Sequence, residues 1–350
     1  MTARTLNVAL LGYGFAGKTF HAPLIASVQD LKLHVVSSSQ PEKVHADFPD
    51  AVVEPDPLQA LSREDVDLVV IATPNTTHFD LAKAALMAGK HVVVDKPFTL
   101  TAVEARELDT LAARSELLLS VFHNRRWDAD FLTIKRLIAE GRLGRVVHFE
   151  SHFDRFRPGV VNRWREQDLP GSGLWYDLGP HVLDQALQLF GMPDTLQADL
   201  SVQRDGGQAT DFFHVVLGYG PLRVILHGSM LVAAPNPRFI VHGTEGSYIK
   251  YGLDPQESAL KAGGRPGSEN WGHDPEKGTL YTQSEGQTIK TEVDNQVGSY
   301  QSYYTGIAAA LLNGTSNPVT AEEATLVMEL LELGEKSSAT GQRLSVERKG

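Results

Sequence analysis

The chain has 350 residues, 42% hydrophobic and 21% charged, which is an ordinary globular composition at a length that exceeds one hydrophobic core. Its net charge of −11 argues against a nucleic-acid surface, and the absence of cysteine removes disulfides, thiolate nucleophiles and Cys-ligated metals. The apolar run at residues 6–11 is too short for a secretion signal and nothing approaches a membrane span, so a cytoplasmic protein with no nucleic-acid or membrane partner is expected.

In chain order, residues 6–11 form a short apolar run that ends in glycine, and a helix pattern follows at 17–27. Strands are predicted at 33–36, 68–72, 91–94 and 117–121. A helix with an Ala-rich face fills 77–88, with Gly89 as the residue that ends it. Thr101 caps the next helix, and Glu104 completes a capping box. The strands are continuously apolar rather than alternating and are separated by helices. That pattern predicts an α/β fold with a doubly wound parallel sheet, a Rossmann domain over 1–122.

Beyond 122 the rhythm changes. An amphipathic helix is expected at 127–140, then an alternating strand at 146–156. Val147, Phe149, Ser151 and Phe153 face one side of that strand; His148, Glu150, His152 and Asp154 face the other. His148, His152 and Asp154 have a spacing that can ligate a metal, but alternating polar residues are what any half-buried strand presents, and no metal is assigned. Further strands are expected near 196–204, 211–219, 222–232, 238–242 and 247–251. The Gly-, Pro- and charge-rich stretch 254–278 reads as a long loop, and helices return at 299–312 and 321–339. Residues 123–350 are therefore expected to form an α+β domain with a large open, mostly antiparallel sheet.

The chemistry-bearing motifs begin with Gly12-Tyr13-Gly14-Phe15-Ala16-Gly17, which fits G-x-G-x-x-G between a strand and a helix. The first glycine permits the tight turn, the second lets the backbone approach a pyrophosphate, and the third lets helix and strand pack closely. The phosphates then sit on the helix N-terminus. Dinucleotides lacking a 2′-phosphate usually meet an acid at the end of the second strand. Here that place reads Ser37, Ser38, Ser39, with Lys43 nearby. Three hydroxyls and a cation suit a 2′-phosphate, so NADP is favoured over NAD.

Asp95-Lys96-Pro97 ends the strand at 91–94, where Lys96 either points into the ligand crevice or is a surface lysine at a turn. In the segment 171–184, a helix starting near Asp177 would put Asp177 and His181 one turn apart on one face. That is either a general acid/base pair or a helix cap beside a buried histidine. His123-Asn124-Arg125-Arg126-Trp127 lies where the two rhythms meet. It joins Arg155, Arg157, Arg163, Trp164, Arg165 and Trp271 as candidates for a polyol or sugar pocket, or as members of a solvated charged face.

The glycine turn, Thr73-Pro74-Asn75 with His78, Asp95-Lys96-Pro97 and the Asp177–His181 segment, in this order and spacing, resemble the glucose–fructose oxidoreductase/inositol dehydrogenase (Gfo/Idh/MocA) family. The resemblance covers essentially the whole chain. Through 123–127 and 151–165 it is similar to the NADP-dependent scyllo-inositol dehydrogenase-like members. It implies that Lys96 is the family's motif lysine, with Asp95 where Glu is usual. It also implies that Asp177 and His181 are the family's Asp and His, with Thr73, Pro74, Asn75 and His78 on a cofactor-side loop. Asn124, Arg125, Arg163 and Trp164 are expected to bind substrate, and a homodimer or homotetramer is expected from the open sheet. The implied activity is hydride transfer between a secondary hydroxyl of a cyclic polyol or sugar and the nicotinamide. A cofactor-dependent glycoside hydrolase and a non-catalytic dinucleotide sensor are the alternatives on the same scaffold.

Overall fold

The computed structural model describes residues 4–347. The N-terminal part follows the expected alternation. It runs β1 (Leu6–Leu11), a π-helical turn at Gly17–His21 leading into α1 (Ala22–Ala26), β2 (Leu31–Ser37), α2 (Pro41–Asp47), β3 (Val52–Glu54) and α3 (Pro57–Ser62). It continues with β4 (Leu68–Ile71), α4 (His78–Met87), β5 (His91–Val94), α5 (Ala102–Arg114) and β6 (Leu119–Val121). The six strands form one parallel sheet in the order β3-β2-β1-β4-β5-β6. Every residue of β4 and β6 is buried, as the uninterrupted apolar runs require of strands covered on both faces. Gly89 has φ +74°, and the Thr101–Glu104 capping box is present.

The chain continues through α6 (Ala129–Ala139), β7 (Val146–His152), α7 (Gly173–Phe190), β8 (Thr195–Ser201), β9 (Phe212–Tyr219) and β10 (Leu222–Ser229). Then come β11 (Phe239–Gly243), β12 (Gly246–Lys250), α8 (Gln256–Lys261), β13 (Gly278–Ser284), β14 (Gln287–Val293), α9 (Gln301–Asn313), α10 (Ala321–Thr340) and β15 (Leu344–Ser345). A nine-stranded sheet runs β14-β13-β12-β11-β7-β10-β9-β8-β15, with only the β7–β10 pair parallel. One face of it is core: Phe149, Phe213, Val215, Leu217, Val224, Leu226, Phe239 and Val241 are fully buried. Helix α7 lies on that face against β9 and β10. Such side chains contribute about 1.5–3 kcal/mol each, which fixes the strand register and with it the side chains on the opposite face.

Two compact units result. Among the described residues, one comprises 4–127, 256–271 and 299–328; the other comprises 128–255, 272–298 and 329–347. Among the described residues no helix is long and apolar enough to cross a membrane.

Four local expectations are corrected. Helices α2 and α3 and strand β3 occupy the region between β2 and β4 where no element was expected; α2 buries only Val44, so it has no apolar stripe to read. The stretch 254–278 contains α8, which buries Gln256 and Leu260 one turn apart. Strand β14 forms where no strand is expected from the sequence; six of its seven residues are exposed and show no alternation. Helix α7 starts at Gly173, four residues before Asp177, so Asp177 lies inside the helix and is not its cap.

Candidate active site

In the first unit, the strand order reverses beside β1, and four loops follow the carboxyl ends of β1, β2, β4 and β5, where ligands of such sheets bind. The glycine turn leaves β1. Gly12 has φ +95°, and a Cβ there would stand 2.8 Å from the Ala72 carbonyl oxygen. A Cβ on Gly17 would stand 2.0 Å from the carbonyl oxygen of Gly12, so the helix start and the strand end are in direct backbone contact. A Cβ on Gly14 would meet nothing within 4 Å. The middle glycine thus borders open space, a cradle that a side chain would fill, in front of first-turn amides that have no intrahelical acceptor. This arrangement fits a dinucleotide pyrophosphate. The Gly12 N–H donates to the Ser37 carbonyl at 3.1 Å, which hangs the turn on the end of β2. Phe15 is exposed with Lys261 5.5 Å over its ring, and Ala16 precedes the π-helical turn. Tyr13 donates to Asp47 at 2.8 Å, and Lys18 pairs with the same carboxylate at 2.8 Å. Burial and that carboxylate push the Tyr13 hydroxyl well above its usual range.

Beyond β2, Ser37 is buried, Ser38 is half-buried and accepts from the Gln40 N–H at 3.1 Å, and Ser39 and Lys43 are exposed. No carboxylate occurs among Ser37, Ser38, Ser39 and Gln40.

At the ends of β4 and β5, His78 acts as a brace. It is 1% exposed, and its ring nitrogens lie 3.0 Å from the Thr73 carbonyl and 2.9 Å from the Pro97 carbonyl. Burial holds its pKa down, against the opposing pull of Asp95. It therefore reaches the two loops that carry Thr73, Pro74, buried Asn75 and Lys96, and fixes them to each other. Thr73 and Thr77 hydroxyls add a bond of 2.7 Å within the first of these loops. The Lys96–Pro97 peptide is cis, and the Lys96 N–H donates to Asp95 at 2.8 Å. Burial works against the charge on Asp95, but His21, Lys96 and His78 together outweigh it and keep the carboxyl below its usual range. His21 lies 3.6 Å from Asp95 and 2.6 Å from the Tyr304 hydroxyl. His21 and Tyr304 carry no local signal, because their pairing spans 283 positions.

His123, Asn124, Arg125 and Arg126 are all buried. Arg125 pairs with Glu257 of α8 at 2.5 Å, and Arg126 with Glu323 at 3.2 Å. Burial raises the Glu257 pKa, but Arg125 and Lys261 more than reverse this and bring it from 4.5 to about 2. A lowered carboxyl stabilises the fold above its unfolded-state pKa and loses that contribution as pH falls through its folded value. Glu257→Gln should therefore cost about 3 kcal/mol at pH 6. The gap to wild type should close as pH falls from 4.5 toward 2. Urea unfolding of both proteins across that range checks it, and a gap independent of pH contradicts it.

In the second unit, α7 presents Asp177 and His181 one turn apart. His181 is 5% exposed, whereas the Asp177 side chain is 25% exposed. Gly179 lies between them in sequence, where a Cβ would come 2.7 Å from the Trp175 ring and 2.9 Å from Leu331. The Trp175 indole N–H donates to the Leu331 carbonyl at 3.1 Å, so the helix is held in rotation as well as position. The turn Trp164–Glu166 packs beside α7. Arg165 reaches 3.9 Å from Asp177 and lies 5.2 Å over the Trp164 ring. Arg163 pairs with Glu166 at 2.7 Å and keeps a 44% exposed side chain. Glu166 is the anchor of this segment. It is buried, accepts from the Val161 N–H at 2.9 Å, and also pairs with Arg204 at 3.2 Å. Sequence reading missed Glu166 and Arg204, which are 38 residues apart.

Two family models cover most of the chain. The one described as the oxidoreductase family, NAD-binding Rossmann fold, matches residues 6–123. The one described as the oxidoreductase family, C-terminal alpha/beta domain, matches 135–347. The chain is 57% identical over 334 residues to the uncharacterized oxidoreductase YdgJ of Escherichia coli, covering 95% of this chain and 96% of that protein. It is 42% identical over 345 residues to the scyllo-inositol 2-dehydrogenase (NADP(+)) IolW of Bacillus subtilis, covering 98% and 96%. A solved structure of a putative oxidoreductase from Yersinia pestis superposes with a TM-score of 0.96 at 54% identity, covering 99% of each chain.

Proposed function

The chain belongs to the Gfo/Idh/MocA family of NAD(P)-dependent oxidoreductases, and on that premise we propose that it oxidises a secondary hydroxyl of a cyclic polyol or sugar of the inositol class, reversibly, with NADP. The observation that carries this reading is the placement of Lys96 at the carboxyl end of β5, in the same sheet whose β1 end holds the Gly12–Gly17 cradle. When bound, the nicotinamide supplies hydride acceptance and donation. Lys96 donates to the reacting oxygen and stabilises the negative charge that develops there. His181 takes the hydroxyl proton, and Asp177 orients the substrate or the imidazole. Asn75 and the brace of His78 hold the loop beside the cofactor. Asn124, Arg125, Arg163 and Trp164 are assigned to substrate recognition. In that role Arg125 acts through its pair with Glu257, while Arg163 and Trp164 offer exposed surface. The relative whose name carries scyllo-inositol and NADP(+) supports the same substrate class and cofactor.

The cofactor choice rests on Ser38, Ser39 and Lys43, which are accessible beyond β2 with no acid among the serines. NADP is expected to bind the wild type more tightly than NAD. Ser39→Glu is expected to reverse the preference, because the new carboxylate repels a 2′-phosphate and accepts from a free ribose hydroxyl. Titration of both proteins with both dinucleotides tests this, and tighter binding of NAD by the wild type overturns it.

A further inference from the structure

The uncovered face of the nine-stranded sheet carries a band of histidines set by strand register. On β7, His148, Glu150 and His152 alternate onto this face. The parallel β7–β10 pairing sets His227 beside His152, and the β9–β10 pairing sets His214 beside His227. The β7–β11 pairing sets His242 beside His148. Ring centroids are 5.3 Å apart for His152 and His227, 5.6 Å for His214 and His227, and 5.5 Å for His148 and His242.

Within this band, one triplet has the geometry of a coordination site. The Asp154 side chain is only 8% exposed. Its Oδ1 has no hydrogen-bond partner among the described residues, and neither has Nδ1 of His152. Asp154 Oδ1 lies 3.4 Å from His227 Nε2, and Asp154 Oδ2 lies 3.6 Å from His152 Nδ1. These separations are long for charge-assisted hydrogen bonds. One ligand atom from each of the three residues lies within 4.8 Å of the others, and the 3.4 Å pair is close to the ~3.3–3.4 Å edge of a tetrahedron whose ligands stand ~2.0–2.1 Å from a central ion. Outer contacts orient the donors: Glu150 takes the Nε2–H of His152 at 2.7 Å, which leaves Nδ1 as the lone-pair nitrogen, and Asn236 donates to Asp154 Oδ2 at 2.9 Å.

We propose that His152 Nδ1, the Asp154 carboxylate and His227 Nε2 form a binding site for a divalent metal ion of the zinc class, with the fourth position open to water. Two imidazoles and one carboxylate are a ligand set suited to Zn²⁺, and also to Co²⁺ and Ni²⁺. The site involves none of the residues assigned to hydride transfer and stands independently of that assignment. The ion would join β7 to β10 on the face away from α7. Two of its three ligands, His152 and Asp154, are adjacent on one strand pattern in the sequence, whereas His227 enters through strand pairing.

The test uses the full chain, stripped with chelator, and Co²⁺ as a spectroscopic probe followed by Zn²⁺ in calorimetry. One Co²⁺ per chain is expected, with the visible absorption of a tetrahedral site, and Zn²⁺ should displace it. His227→Gln and Asp154→Asn should each weaken binding at least tenfold, and Glu150→Gln by about 10-fold or more through loss of the outer contact. His242→Gln should leave binding unchanged, and circular dichroism should show all four variants folded. Absence of saturable binding by the wild type overturns the proposal. So does binding that survives both His227→Gln and Asp154→Asn undiminished.

Discussion

His181→Gln and Lys96→Met are each expected to reduce turnover strongly while leaving NADP binding within a few-fold of wild type. Proton transfer by a positioned base is worth ~10²–10⁴-fold, so His181→Gln should lower kcat by that order. A donor aimed at a developing oxyanion is worth ~10²–10³-fold, which sets the scale for Lys96→Met. The two side chains serve one hydroxyl in the proposed chemistry, so the double variant should lose less than the product of the single losses. His181 is buried on α7, and the glutamine replacement keeps a polar side chain there. Thermal unfolding of each variant separates a catalytic loss from a folding defect. Steady-state kinetics with a panel of inositols and sugars measures the effect, and wild-type rates in both variants contradict the assigned roles.

The second large effect distinguishes two glycines three positions apart in one motif, Gly14 and Gly17. Gly14→Val places its side chain where a Cβ meets nothing within 4 Å, so the apo protein should fold with its unfolding temperature nearly unchanged. The same side chain fills the pyrophosphate cradle. Losing two charge-assisted backbone bonds at ~1.5–3 kcal/mol each predicts a fall in NADP affinity of ~10²–10⁴-fold. Gly17→Val puts its Cβ 2.0 Å from the Gly12 carbonyl oxygen, which backbone alone must relieve. That variant should lose thermal stability as well as affinity. Calorimetric titration with NADP, paired with thermal unfolding, reads both quantities. Tight NADP binding by Gly14→Val contradicts the placement of the pyrophosphate.

Much of the first unit was legible because its strands are covered on both faces. Runs such as Leu68-Val69-Val70-Ile71 have no polar alternative to burial, and the motifs at their ends are local in sequence. The glycine turn, the Gly89 stop and the Thr101 capping box each depend on residues within one or two turns. What escaped sequence reading depends on distant partners or lacks apolar contrast. Glu257 gains its meaning from Arg125, 132 residues away, and that link turns an expected loop into α8. Strand β14 is almost wholly exposed and carries no period. Gly171 and Gly173 read as loop residues and point to a start of α7 near Asp177, whereas Leu174, Trp175 and Leu178 already belong to the helix's buried face. The site residues themselves were visible as types in strings: Lys96 after a strand, Asp177 and His181 four apart. Their supports were not, since His21, Tyr304, Glu166 and Arg204 are brought in by packing.

The measurement closest to the central claim is the absorbance of reduced nicotinamide when inositols and sugars are added to the protein with NADP, with ketone product quantified alongside. The account predicts a rise for at least one cyclic polyol or sugar, one ketone formed per cofactor reduced, and no rise with the Lys96→Met/His181→Gln double variant. No rise with any of them, release of free sugar without net reduction, or an undiminished rise in the double variant would contradict it.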